Sequence, residues 1–287
     1  MTTRQDRLLT ALSALHLYGT PARARIGLLE RGIPPSQQHV GTLSHAEKAE
    51  LEKLSAELFD VDIDVALLPN DGFPRALASL KLPPSMLFMK GNQALLGQPS
   101  VGMCGSRDVS PSGLEAARLC GREVARRGLT VVSGYARGVD TETHLAALEM
   151  NGNTIIVMAE GILKFRAKRV FEEGIPPERS LVVSQFHPSA TWSVGNAMTR
   201  NAVIVGLSKA LVVIEARETG GTFDAGKRAL ALGRPVLAIV FGESETPNGN
   251  RRLIHMGARP IPNTKTLIAE LDTIGPPEGN VQPTLSI

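Results

Sequence analysis

Six short apolar runs between residues 101 and 240 constrain the fold of this chain more than any other feature of its sequence. They are Val101-Gly-Met-Cys104, Leu129-Thr-Val-Val-Ser133, Asn153-Thr-Ile-Ile-Val-Met158, Ser180-Leu-Val-Val-Ser184, Ala210-Leu-Val-Val-Ile214 and Pro235-Val-Leu-Ala-Ile-Val240. Each is separated from the next by a segment long enough for a helix. Strands that are apolar without alternation are covered on both faces, which points to a parallel sheet built from right-handed βαβ units. The expectation is an α/β, extended Rossmann-like, doubly wound fold with a mostly parallel sheet. Ligands of such a sheet sit at the carboxyl ends of its strands.

The first two runs empty into loops of glycine, serine and arginine. Gly105, Ser106 and Arg107 follow the first; Ser133, Gly134, Tyr135, Ala136, Arg137 and Gly138 follow the second. Where a strand ends in such a loop and a helix begins, free backbone N–H groups and the positive end of the helix dipole meet, so phosphate is the expected ligand. The alternative for Arg107 is a surface ion pair with a carboxylate, and for Arg137 a role in holding the chain through carbonyl oxygens. After the third run, Lys164, Arg166, Lys168 and Arg169 place four cations in six residues, the densest basic cluster of the chain. Such a cluster supplies sequence-independent attraction to a nucleic-acid strand, whereas Glu160 beside it opposes a phosphate unless paired, and a solvated helix face is the alternative. Arg200 and Asn201, read as lying early in a helix, offer donors for a phosphate oxygen or for orienting the loops.

Two near-motifs are set aside. Gly221 to Arg228 nearly spells a P-loop, but arginine stands where a hydroxyl would hold magnesium, and Lys227 falls a turn too far along a helix. Thr219, Gly220, Gly221 and Thr222 read instead as a tight turn with an N-cap that aims amides at a phosphate. Asp140 and His144 share a helix face at i, i+4, a spacing open to metal or acid–base chemistry, but first-turn dipole complementation accounts for the acid more simply. No metal site, catalytic residue or cofactor is expected.

Around this core the chain divides into a helical module at 1–69, a bridging segment at 70–98, the Rossmann-like domain at 99–272 and a flexible tail at 273–287. Leu8, Leu9, Leu12 and Leu15 mark one helix; Ser44 with Glu47 three residues later marks the start of another. Val65–Leu68 and Ser85–Met89 read as strands, with a turn at Asn70-Asp-Gly-Phe-Pro74. No run reaches the roughly 20 apolar residues of a membrane span, and the first residues lack the apolar core of a signal peptide. Cys104 and Cys120 are the two cysteines, which fits small core residues in a reducing, cytoplasmic compartment. A net charge of +3 names no partner by itself.

Asp71-Gly-Phe-Pro-Arg-Ala-Leu77, Leu82-Pro-Pro-Ser-Met-Leu-Phe-Met-Lys-Gly91, Gly105-Ser-Arg107, Ser133 to His144, Arg200-Asn-Ala-Val-Ile-Val-Gly-Leu-Ser208, Val212-Val-Ile-Glu-Ala216 and Gly249 to Ala258 follow one another in an order that resembles the DNA-processing protein A family, also called Smf. The resemblance covers roughly 60–260. It implies a non-enzymatic protein that binds single-stranded DNA, acts as a homodimer and loads the RecA recombinase in natural transformation or related recombination. It also implies a DNA contact at Arg107 and, by alignment, at Lys164, and it matches the Arg200–Asn201 pair. Too few residues follow 272 for the C-terminal winged helix some members carry. Departures occur at Ala159, Glu160 and Arg166, at Ser184-Gln-Phe-His187, and at Thr219-Gly-Gly, where the family usually has Ser-Gly-Ser; they mark a divergent member. A nucleotide-sensing domain stays open as an alternative. A phosphoribohydrolase-type enzyme shares the glycine loop but would need a glutamate where Gly226 or Lys227 stands.

Overall fold

The computed structural model describes residues 3–19, 43–68, 72–171, 174–242 and 244–274. The tail from 275, and Asn70 and Asp71 of the expected turn, lie outside the described residues. The fold is α/β, with a nine-stranded, mostly parallel sheet among the described residues, and the chain separates into two compact units.

The first unit comprises Met1–Gln93, Ser133–Ala136 and Ile155–Leu207. Its strand order is β1 (Asp64–Leu67), β2 (Met86–Gly91), β6 (Ser180–Ser184), β5 (Thr154–Val157). Helix α1 (Arg4–Tyr18) opens on a capping box between Thr3 and Asp6. In α2 (His45–Asp60) the Ser44–Glu47 spacing forms the same box: the Glu47 amide donates to the Ser44 hydroxyl and the Ser44 amide donates to the Glu47 carboxylate. Leu8, Leu12 and Leu15 of α1 and Leu51 and Leu58 of α2 bury against Val65, Met86, Phe88, Ile156 and Val182. Each such leucine contributes about 1.5–3 kcal/mol of transfer free energy. Arg7 fixes α1 to the start of β1, its Nη2 donating to both oxygens of Asp64 at 2.7 Å. Strands β1 and β2 fall within two residues of their expected positions, and β2 is antiparallel to both β1 and β6. A short helix, α3 (Arg75–Ala78), follows Pro74.

The second unit holds β4 (Thr130–Ser133), β3 (Ser100–Cys104), β7 (Ala210–Val213), β8 (Val236–Ile239) and β9 (Arg259–Ile261) in that spatial order. Every pairing from β4 through β9 in this row is parallel. Helices α4 (Pro111–Arg126), α5 (Val139–Glu149), α7 (Gly221–Ala231) and α8 (Asn248–His255) connect the strands and α9 (Thr264–Asp272) follows β9, while α6 (Val194–Leu207) belongs to the first unit. Val101, Met103, Val131, Val212, Ile214 and Leu237 meet Cys120 and Val124 in the core. Burial pushes the Cys120 thiol up to about 12, so it stays a thiol and packs as a small apolar group. Strand β9 carries no apolar run: its sequence is Arg-Pro-Ile and only Ile261 is buried.

Candidate functional site

In the second unit two strand-end loops are pressed backbone to backbone. Gly138 precedes α5 at φ 77° and ψ −132°, a conformation closed to side chains, and a β carbon there would lie 2.6 Å from the Ser106 carbonyl oxygen and 2.7 Å from that of Arg107. The Val139 amide donates to the Ser106 carbonyl at 3.3 Å, and a β carbon at Gly105 would collide with the Val139 side chain. Close packing therefore dictates both glycines. The loop before α7 joins the cluster: Thr222 Oγ1 donates to the Gly105 carbonyl at 3.0 Å. The N-cap of the expected turn is Gly220, whose φ of 105° leads into a helix starting at Gly221, with no side-chain cap bond. Gly105, Ser106, Arg107, Arg137 and Gly220 accordingly lie on loops tied to one another and to the first turn of α7, which holds Gly221 and Thr222, with the Arg107 and Arg137 side chains exposed. Arg137 pairs with Asp108, which also faces Arg217 at 3.9 Å.

The expectation of free amides where α4 begins is corrected by Glu215. Ser110 caps α4, accepting from the Gly113 amide at 3.0 Å, while its own amide and hydroxyl donate to the Glu215 carboxylate. The chain's own anion therefore lies beside the first turn of α4. Beside it a cavity of about 350 Å³ is lined by Ser106, Asp108, Glu215, Arg217, Glu218 and Asn248. Three carboxylates against one guanidinium make this crevice, at the carboxyl ends of β3 and β7, unfavourable for a phosphate. Arg107, Arg137 and Arg217 all expose their side chains on these loops.

In the first unit the loop after β4 is braced from the basic cluster. Lys168 Nζ donates to the carbonyls of Tyr135 at 2.9 Å and Ala136 at 3.0 Å and stands 4.3 Å over the Tyr135 ring. Tyr135 Oη accepts from the Lys168 amide and donates to the Arg166 carbonyl, and its ring lies 5.4 Å from that of Phe165. Arg166 folds back onto the carbonyls of Leu163 and Phe165 at 2.9 and 2.7 Å. Two of the four clustered cations thus hold backbone, while Lys164 and Arg169 point to solvent. Ser133 and Gly134 are buried beneath this loop. Arg200 lies mid-helix in α6 rather than near its start and is buried; Asn201 beside it is half-buried.

Two residues of the set-aside motifs are engaged within the fold. His144 is fully buried with Nδ1 2.5 Å from Thr154 Oγ1, and Lys227 pairs with Asp224 at 2.9 Å. Among the described residues no group of His, Cys, Asp or Glu is arranged to hold a metal, and no helix is long and apolar enough to cross a membrane. Asn250, within the Gly249–Ala258 run, is fully buried and binds backbone on three sides: Oδ1 accepts from the Ala216 amide at 2.8 Å, and Nδ2 donates to the carbonyls of Ile214 and Ile239 at 2.9 Å. Sequence reading passed over Asn250 and Glu215 because both partners lie far away in the chain.

Taken together, the molecule is a Rossmann-like α/β protein whose strand-end loops present cations on a tightly packed backbone. The chain belongs to the DNA recombination-mediator protein A family, whose model matches residues 64–272. It is 32% identical over 217 residues to Protein Smf of Synechocystis, covering 72% of this chain and 54% of that one, so it spans about half the length of that relative. DNA processing protein DprA of Bacillus subtilis is 29% identical over 82% of this chain and 78% of its own. The crystal structure of DprA from Streptococcus pneumoniae superposes with a TM-score of 0.71 at 25% identity, covering 93% of this chain and 98% of that one. DprA from Helicobacter pylori, solved in a study of its single-stranded DNA binding mode, gives 0.63 at 26% identity over 73% of this chain and 96% of its own.

Proposed function

We propose that this protein binds single-stranded DNA through its phosphates and acts as a recombination mediator that loads the RecA recombinase, as a cytoplasmic homodimer with no enzymatic step of its own. In the cell this reading places it in natural transformation or related recombination. The observation that carries it is the outward Arg107 on a loop locked by Gly105 and Gly138, in a chain of this family. A guanidinium held on rigid backbone makes charge-assisted bonds to phosphate without first losing loop entropy. Lys164, on the third strand-end loop, extends the same polarity in the first unit. Aromatic residues make up 4% of the chain, so affinity leans on phosphates rather than on extensive stacking. Carboxylates in the β3–β7 crevice weigh against a mononucleotide sensor, and the Lys227–Asp224 pair weighs against nucleotide hydrolysis.

Titration with labelled oligothymidylates at two salt concentrations tests the proposal. Affinity is expected to rise with oligomer length and to fall with salt, with a log–log slope of about −0.7 per phosphate neutralised. Arg107→Ala is expected to weaken binding by about 1.5–3 kcal/mol. Arg126→Ala is the control: it lies at the far end of α4, and its partner Glu123 keeps Arg127. Salt-independent binding, or saturation by a mononucleotide, would overturn the proposal; equal effects of the two substitutions would move the DNA path away from Arg107.

A further inference from the structure

The first unit carries an aromatic ring that the phosphate reading does not use. The loop after β5 and the loop after β6 are joined by two backbone bonds, from the Gly161 amide to the Ala190 carbonyl at 2.9 Å and from the Leu163 amide to the Pro188 carbonyl at 3.1 Å. A β carbon at Gly161 would run into the carbonyl oxygens of His187 and Pro188, so the two loops meet with no side chain between them. Lys164 follows directly on one loop and Trp192 on the other. Trp192 itself sits on a braced base: Ser193 Oγ accepts from the Asn196 amide at 3.0 Å, capping α6, and Asn196 Nδ2 donates to the Thr191 carbonyl at 3.3 Å.

The indole is nevertheless 44% exposed, and Val194 beside it is 67% exposed. Of the other aromatic rings of these loops, Phe186 is buried and Phe165 packs against Tyr135. A large apolar ring held at a helix N-terminus, on a loop bonded to one that carries an outward lysine, matches what a single nucleic-acid strand presents, a flat base beside a phosphate.

We infer that Trp192 is a base-stacking platform, on which an unpaired base of single-stranded DNA lies against the indole while its backbone runs past Lys164. The inference rests on the single-stranded DNA reading above and adds to it the contact that senses bases. Stacking on an aromatic ring tolerates every base, so it separates unpaired from paired strands without reading sequence.

Trp192 is the chain's sole tryptophan, so its fluorescence reports this site alone. With the intact protein, a thymidylate oligomer is expected to quench the emission in step with binding followed independently by anisotropy of an end label. An abasic oligomer of equal length is expected to bind without quenching. Trp192→Leu is expected to weaken binding of the thymidylate oligomer about tenfold and to leave the abasic oligomer unchanged, which also shows that the variant folds; Trp192→Phe should keep most of the affinity. If the oligomer binds by anisotropy with no quenching and Trp192→Leu binds it as well as the parent, the stacking inference is wrong while the DNA reading stands. If no oligomer binds at all, both fall.

Discussion

Replacing Asn250 with leucine is expected to lower folding stability by about 4 kcal/mol or more, although the volume hardly changes. The side chain closes the ends of β7 and β8 onto α8: it satisfies the Ala216 amide and the carbonyls of Ile214 and Ile239 at once, with the Val213 carbonyl at a weaker 3.4 Å. Leucine would strand these buried groups, each at about 1–3 kcal/mol. Urea unfolding of parent and variant measures the difference. Asn250→Asp gives a second arm with a sign of its own. An ionised carboxylate would face the Ile214 and Ile239 carbonyl oxygens, so folding favours its protonated form and raises its pKa above the unfolded value. The variant's deficit should therefore shrink as pH falls toward the ordinary carboxylate range and be largest at neutral pH. A loss below 1 kcal/mol, or one independent of pH in Asn250→Asp, would show that the Asn250 network is dispensable.

Gly138→Ala is expected to damage both stability and binding. Its φ of 77° with ψ of −132° costs an L residue about 1–3 kcal/mol. The added carbon must also push away the Ser106 and Arg107 carbonyls, which would otherwise sit 2.6 and 2.7 Å from it. The loop bearing Arg107 would shift, so oligonucleotide affinity should drop as far as in Arg107→Ala. Gly233→Ala separates strain from contact: it too has positive φ, at 68°, but meets nothing within 4 Å. It should cost about 1 kcal/mol and leave binding intact. Parallel melting curves and titrations of the two variants decide the matter, and equal binding by both would detach the glycine pair from DNA.

The strands were legible because burial on both faces leaves an unbroken apolar run, and β3 to β8 lie within two residues of the runs from Val101 to Val240. Strand β9 was not, since Arg-Pro-Ile at an edge carries neither run nor alternation. The capping box at Ser44 was legible because both partners lie within one helical turn. Glu215 and Asn250 were opaque for the opposite reason: their partners are set by strand order, which places Ser110 against a residue 105 positions later. The same non-locality governs the basic cluster. Composition showed four cations but not that Lys168 and Arg166 are spent on the carbonyls of Tyr135, Leu163 and Phe165, leaving Lys164 outward.

The helices that precede β1 bear on how far shared ancestry defines a folding unit. The family match begins at residue 64, yet five leucines of α1 and α2 complete the core against Val65, Phe88, Ile156 and Val182. The stretch matched by the family model and the unit that folds together therefore have different borders in this molecule. A gene trimmed to the shared stretch would encode a chain with an open apolar face, and a loss of DNA binding in that fragment would report aggregation rather than a missing contact.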